Sequence, residues 1–510
     1  MKKECLLTSE SVSEGHPDKV ADQVSDVILD VFLATDVFAR VACETLVTKG
    51  VVVVAGQISS CCRPSIPDTV RWLIKDIGYT DVAYGFDHRS CRIITHIDKQ
   101  SPEISRAIEG EGGEMCAGDQ VTVFGYATNE TDEFMPLGIM LAHGLVCQQA
   151  ELRKAGELDW LRPDAKSQVT VRYVGDKPVT VEKVVFSTQH SPDVSHETLE
   201  EAVISEIIEQ VIPNELIAPH VQYLVNPGGS FTVGGPAADT GLTGRKIIVD
   251  AYGPGFPHGG GAFSGKDPTK LDRSAAYMAR YIAKNVVAAG LAERCTVQIS
   301  YAMGEVDPVS FTLNLHGSGR IDEEKLVQAV RQMFSLTPAG IISTLDLRRP
   351  IYQKTAAYGH FGRRERGFTW ERTDKAAALQ EHFGIPRDRI EKVGPARMVS
   401  GTGLRNFLFP GPPYLIMPTN GGANTHVPIV FVPNDRVKPR GDELTIVMRE
   451  PYRDAKLSEA ARKEVVTVVS WVAEQRQLHL SVVFGEHDIV LCGPDRSVEA
   501  DRDALSQEEA

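Results

Sequence analysis

The sequence predicts an α+β protein of three pseudo-symmetric strand–strand–helix subdomains, followed by a small α+β appendage. The expectation rests first on three paired runs rich in β-branched residues: Val41 to Val47 with Val51 to Ile58, Gln168 to Val174 with Val179 to Thr188, and Thr296 to Tyr301 with Val309 to Leu315. Each pair precedes a helical pattern. The apolar faces read Val70, Leu73, Ile74 and Ile77, then Leu199, Val203, Ile207 and Val211, then Leu326, Val330 and Phe334. The repeat lies in element order and not in residue identity, so related subdomains and an array of unrelated α+β units both fit it. Chain length is the third observation, because 510 residues exceed a single compact core.

Composition narrows the class. A hydrophobic fraction of 42% and a charged fraction of 24% are those of a soluble globular protein, and a net charge of −14 gives no electrostatic reason to expect nucleic acid as a partner. Nine cysteines, including adjacent Cys61 and Cys62, show no C-x-x-C spacing, which reads as free thiols in a reducing compartment. The opening residues carry no signal-peptide run, and no later stretch approaches a membrane span, so a cytoplasmic protein without a membrane partner is expected.

The chemistry concentrates in a few glycine-rich stretches. HGGGAFSGKDPTKLDRS, residues 258–274, reads as a polyphosphate cradle: glycines admit an anion to the backbone, Lys266 and Lys270 supply charge, and Asp267 or Asp272 can hold a divalent cation. Its Gly260-to-Lys266 spacing mimics a P-loop, but Asp267 stands where a hydroxyl would serve magnesium. A surface loop before a charged helix start fits the segment as well. SVSEGHPDK, residues 11–19, gathers His16 and Asp18 at a helix entrance, where Asp18 could ligate magnesium or merely cap the helix. Residues 100–133 include EGEGGEMCAGDQ, which reads as a loop or lid. WLRPDAK sets Arg162, Asp164 and Lys166 beside a strand. NPGGSFTVGGPAADTGLTGRK supplies Phe231, Asp239, Arg245 and Lys246, the last two suited to phosphate oxygens.

These stretches together resemble the S-adenosylmethionine synthetase family over residues 1–384, through SESVSEGHPDK, ARVACET, FGYATNET, LRPDAKSQVT, GLTGRKIIVD, HGGGAFSGKDPTKLDRSAAY and TAAYGHFGR. The resemblance implies three interleaved α+β subdomains and a homodimer or homotetramer with shared active sites. It implies methionine adenosyltransfer from ATP to L-methionine, through a tripolyphosphate that water cleaves to phosphate and pyrophosphate. It implies catalytic roles for His16, Lys166, Arg245 and Lys266, and nucleotide contacts from His16, Asp164, Ala165, Lys166, Ser230, Phe231, Asp239, Arg245, Lys246, Ala262 and Lys266. For methionine it implies Gln57, Gln100, Asp119, Asp239 and Lys270. Magnesium falls to Asp18 and Asp272, and potassium to Glu44.

The chain departs from the family pattern at four positions. Gln57 stands in AGQIS where a glutamate is usual, Cys116 and Val121 replace glycines in CAGDQV, and Ser230 replaces an arginine in NPGGSF. A nucleotide-binding regulatory subunit, or a relative with altered methionine specificity, is the alternative reading. Past residue 384 the resemblance stops. Residues 385–440 read as a Pro/Gly-rich linker or irregular segment, 441–494 as a possible small α+β domain with a helix over Leu457 to Gln475, and 495–510 as a polar tail.

Overall fold

A computed structural model describes residues 4–100, 114–365 and 367–385, and the backbone of short strands between 414 and 492. The chain divides into two units, Met1–Arg405 and Asn406–Ala510. In the first unit the elements run β1 (Glu4–Val12), α1 (Pro17–Leu33), β2 (Arg40–Thr48), β3 (Val51–Ser59), α2 (Ile66–Ile77), β4 (Arg92–Asp98), β5 (Val121–Thr128) and α3 (Leu137–Ala155). They continue with β6 (Leu161–Val174), β7 (Lys177–His190), α4 (His196–Val203), β8 (Ile217–Val225), β9 (Gly241–Leu242), α5 (Leu271–Ala288), β10 (Arg294–Tyr301), β11 (Ser310–Asn314), α6 (Glu323–Met333), α7 (Pro338–Thr344) and α8 (Ala376–Phe383).

The three expected hairpins form as β2–β3, β6–β7 and β10–β11, each antiparallel. Helices follow where the apolar period switches, and their ends carry the usual signals. Ser65 caps α2 and Asp322 caps α6, while Gly78 closes α2 at φ 109°. The pattern through Val211 continues α4 as a π-turn over Ile204–Ile208 and a last helical turn, Glu209–Val211.

Each hairpin is completed by strands from elsewhere, giving sheets β1-β6-β7-β8, β4-β3-β2-β9 and β11-β10-β5. Three strand–helix segments produce the interleaving. β1 pairs with β6 while α1 packs on β2; β5 pairs with β10 while α3 packs on β6; β9 pairs with β2 while α5 packs on β5 and β10. Each of these three sheets therefore takes one added strand from one segment and a covering helix from another. A subdomain cannot separate without exposing the apolar face of α1, α3 or α5.

Residues 385–440, expected as linker or irregular, contain β12 (Tyr414–Pro418), β13 (Asn424–Pro428) and β14 (Val430–Pro433). The reason is local: the β-rich runs are short, and their prolines fall at strand ends, where no ladder bond is lost. β12 pairs with β13, and β14 joins β15 (Leu444–Val447), β16 (Ser481–Phe484) and β17 (Asp488–Cys492) in a sheet ordered β14-β15-β17-β16. The helix expected over Leu457 to Gln475, the tail 495–510 and residues 101–113 of the expected 100–133 loop or lid lie outside the described residues. Among the described residues no helix is long and apolar enough to cross a membrane.

Candidate functional site

The site grows from the first turn of α1. His16 is its N-cap, its Nδ1 accepting the Asp18 N–H at 3.2 Å, and Pro17 presets the first helical residue. The turn is docked on the start of β6. Ser13 N–H donates to the Ala165 carbonyl at 2.9 Å, and Ser13 Oγ links Pro163 O and Ala165 N–H at 2.7 and 2.8 Å. Gly15 is required there, since a Cβ would fall 2.3 Å from Pro163 O. SVSEGHPDK and WLRPDAK thus become one surface.

Asp164 then fastens the second glycine-rich stretch. Its buried carboxylate accepts the Gly235 N–H at 2.7 Å, and burial pushes its pKa up to about 7. Asn226, at φ 41°, holds the other end by pairing its side chain with both backbone groups of Thr188. Between them the backbone N–H of Phe231 donates to His190 Nε2 at 3.0 Å, leaving the ring half-buried, while Ser230 is exposed.

Charge converges on Asp18. Lys246 Nζ lies 2.5 Å from its Oδ2, Arg245 Nε 3.4 Å from its Oδ1, and the Leu242 N–H donates to Oδ1 at 3.1 Å. Burial alone would raise the Asp18 pKa, but Lys246 and the Leu242 N–H outweigh it and hold the carboxyl below its usual value. Burial, helped by Lys246, pushes His16 down to about 4, so the imidazole is neutral. With Nδ1 accepting, Nε2 carries the proton. Lys166 lies 3.0 Å from Glu10.

The stretch 258–274 wraps back onto β2. Gly265 N–H donates to Asp26 Oδ1 at 2.8 Å, its carbonyl accepts Cys43 N–H at 2.9 Å, and Lys266 bridges Ala42. Lys266 Nζ donates to Asp272 Oδ2 at 2.8 Å. A Cβ on Gly261 would fall 2.0 Å from Asp272 Oδ1, and one on Gly244 would meet Ala262, so the two glycine-rich loops touch. Asp267 is no candidate for the cation. Fully buried, it accepts from Val41 N–H, Thr269 N–H, Thr269 Oγ1 and Lys270, which occupies its lone pairs structurally.

The remaining expected residues have other partners. Glu44 is exposed on β2, Gln57 is exposed on β3 opposite Ala42, and Gln100 N–H donates to Ser59 Oγ at 3.1 Å. Asp119 and Asp239 are exposed, each accepting the N–H of its own next residue. Among the described residues no hydrogen bond or ion pair joins Glu44, Gln57, Gln100 or Asp119 to His16, Asp18, Arg245 or Lys246.

Sequence reasoning missed the scaffold behind these groups. Asp18, Asp22, Asp26 and Asp30 recur once per turn of α1, the first two holding the 242–246 stretch and the others two further segments. Asp22 accepts Gly244 N–H at 2.8 Å, Asp26 pairs with Arg273, and Asp30 accepts the N–H groups of Tyr352 and Gln353. The four-residue spacing was the available signal. Among the described residues no group of three or more His, Cys, Asp or Glu could hold a metal by itself.

Three family models match in tandem: S-adenosylmethionine synthetase N-terminal domain over residues 4–102, central domain over 114–231 and C-terminal domain over 233–372. The chain belongs to the S-adenosylmethionine synthetase family. It is similar to the S-adenosylmethionine synthases of a Nitratiruptor species, at 56% identity, and of Wolinella succinogenes and Helicobacter hepaticus, each at 54%. Each alignment spans 385 residues, which is 76% of this chain and 100% of the relative. Two departures from the family pattern carry no backbone strain: neither Cys116 nor Val121 has a positive φ, so glycine's extra freedom is not needed at either position.

Proposed function

We propose that the chain is a methionine adenosyltransferase, forming S-adenosylmethionine from ATP, L-methionine and water and releasing phosphate and pyrophosphate through tripolyphosphate. The observation that carries the reading is a carboxylate, Asp18, held between Lys246 and Arg245 beside a neutral His16. A thioether sulfur needs no deprotonation to attack C5′, so the protein's task is the leaving group. As the C5′–O bond breaks, the Nε2–H of His16 donates to the departing oxygen. Lys166, Arg245, Lys246 and Lys266 then meet the growing negative charge, each such group being worth several kcal/mol in order of magnitude.

Asp18 and Asp272 fit magnesium, because each offers one carboxylate beside a lysine that can move to phosphate, and magnesium takes few carboxylates with substrate oxygens. Bound there, it supplies Lewis-acid neutralisation of the polyphosphate. Glu44 is assigned to potassium. Asp164, Ala165, Ser230, Phe231, Asp239 and Ala262 are assigned to the nucleotide, and Gln57, Gln100, Asp119, Asp239 and Lys270 to methionine. The assembly assigned to the chain, from its family resemblance, is a homodimer or homotetramer with shared active sites.

The test is S-adenosylmethionine formation by the purified full-length chain with ATP, methionine, magnesium and potassium. Polyphosphate cleavage without S-adenosylmethionine would replace the reading with altered substrate specificity. ATP binding without turnover would favour a regulatory subunit.

A further inference from the structure

Lys19 occupies the third position of α1, where an ammonium opposes the helix dipole, and its side chain is 1% exposed. Full burial of a charge at the unfavourable end of a helix stabilises nothing by itself. Its Nζ lies between two buried carboxylates, 3.0 Å from Asp22 and in contact with Asp250. Asp250 ends the helical turn Ile247–Asp250, whose cap is Lys246, and its N–H donates to the Lys246 carbonyl at 2.8 Å.

Two ion pairs of opposite polarity therefore join the same two short segments. Asp18 reaches Lys246 at the ligand side, and one residue along, Lys19 reaches Asp250 beneath it. Resting on the functional reading above, ligand binding would break the upper pair, because Asp18 turns to magnesium and Lys246 to phosphate. Nothing in that exchange touches the lower pair. We infer that Lys19 and Asp250 are positioning residues, which hold the His16–Asp18 turn in register with Arg245–Lys246 while the Asp18–Lys246 pair opens to admit magnesium and polyphosphate.

The test compares the full-length protein with Asp250→Ala and Asp250→Asn, the second keeping an acceptor for Lys19. Calorimetry with magnesium and inorganic tripolyphosphate, steady-state kinetics and thermal midpoint are read together. The expected result for Asp250→Ala is tripolyphosphate affinity reduced at least tenfold and kcat at least thirtyfold, with KM for methionine within twofold of the unsubstituted protein. Asp250→Asn is expected to fall between the two. Variants that bind and turn over within twofold of the parent overturn the inference, as does a lowered thermal midpoint with unchanged affinity per folded molecule. If the alanine variant does not fold, asparagine decides: affinity reduced at least twofold supports positioning, and any smaller change overturns it. A parent that binds tripolyphosphate yet makes no S-adenosylmethionine refutes the functional reading alone, and the binding comparison still judges Asp250. A parent that binds no tripolyphosphate overturns both.

Discussion

The carboxylate of Asp267 accepts the backbone N–H of Val41 at 2.7 Å, although the two residues are 226 apart in sequence. That bond, with Asp267 N–H donating to the Val41 carbonyl at 3.0 Å, pins the lysine-bearing loop to the first strand of a central hairpin. Neighbouring residues of one motif consequently have different jobs.

Lys266→Ala is expected to cut turnover by roughly 100-fold with little change in thermal midpoint, since its side chain is partly exposed and packs little. Asp267→Ala is expected to destabilise by about 3–5 kcal/mol, because buried donors and Lys270 lose their acceptor. Urea unfolding and steady-state kinetics on both variants check this; similar stability losses would contradict the division.

Asp18→Asn keeps the size of the side chain and removes the charge that Lys246 and Arg245 face. Turnover is expected to fall by about 100-fold or more, and the magnesium concentration for half-maximal activity to rise. A magnesium titration showing an unchanged midpoint would remove Asp18 from the metal site.

His143 is buried, with Nδ1 2.8 Å from Ser11 Oγ, and burial followed by the charges of Arg363 and Lys19 pushes its pKa down to about 3. The unfolded chain binds this proton near pH 6.5 and the folded chain does not, so its contribution is fully present above pH 6.5. It is lost as pH falls from 6.5 toward 3. Between pH 7 and 5 the unfolding free energy should drop by about 2 kcal/mol from this group. Comparing urea unfolding of the parent and His143→Asn at both pH values checks the slope, which should be shallower in the variant.

Gln57→Glu introduces a charge where the family resemblance implies a glutamate. A charge-assisted hydrogen bond exceeds a neutral one by about 1 kcal/mol, so KM for methionine is expected to fall by about fivefold with kcat little changed. An unaltered KM would take Gln57 out of the methionine site.

A chain ending at Arg405, the boundary of the first unit, is expected to retain at least half of full-length kcat, because the family models end at residue 372 and the aligned relatives span 385 residues. Loss of activity in a folded, truncated protein would make the second unit part of the working assembly.

The hairpins and their helices were legible because each is local: alternation marks the strands, a 3.6-residue period marks the helix, and both survive in any window of a dozen residues. β9 was not. Two residues, Gly241 and Leu242, carry no period, and only their docking beside β2 makes them a strand. The strands at Tyr414–Pro418 and Asn424–Pro428 were lost for a different reason, their few β-formers being outnumbered by surrounding proline and glycine.

The site divides in the same way. His16, Asp18, Arg245, Lys246, Lys266 and Asp272, the residues proposed for the site, lie in long motifs in which glycine, charge and spacing recur together. The sequence by itself determined those chemical groups and the local turns that carry them, since turns and caps depend on neighbours a few residues away. Only the tertiary structure decided that Asp267 is saturated by buried donors, that Lys19 is buried between Asp22 and Asp250, and that α1 carries a ladder of bonded aspartates. Those assignments depend on burial and on partners more than two hundred residues distant, as Asp26 with Arg273 and Lys19 with Asp250 show. A carboxylate free to take a metal and one already saturated by buried donors are the same residue in sequence, and desolvation and packing tell them apart.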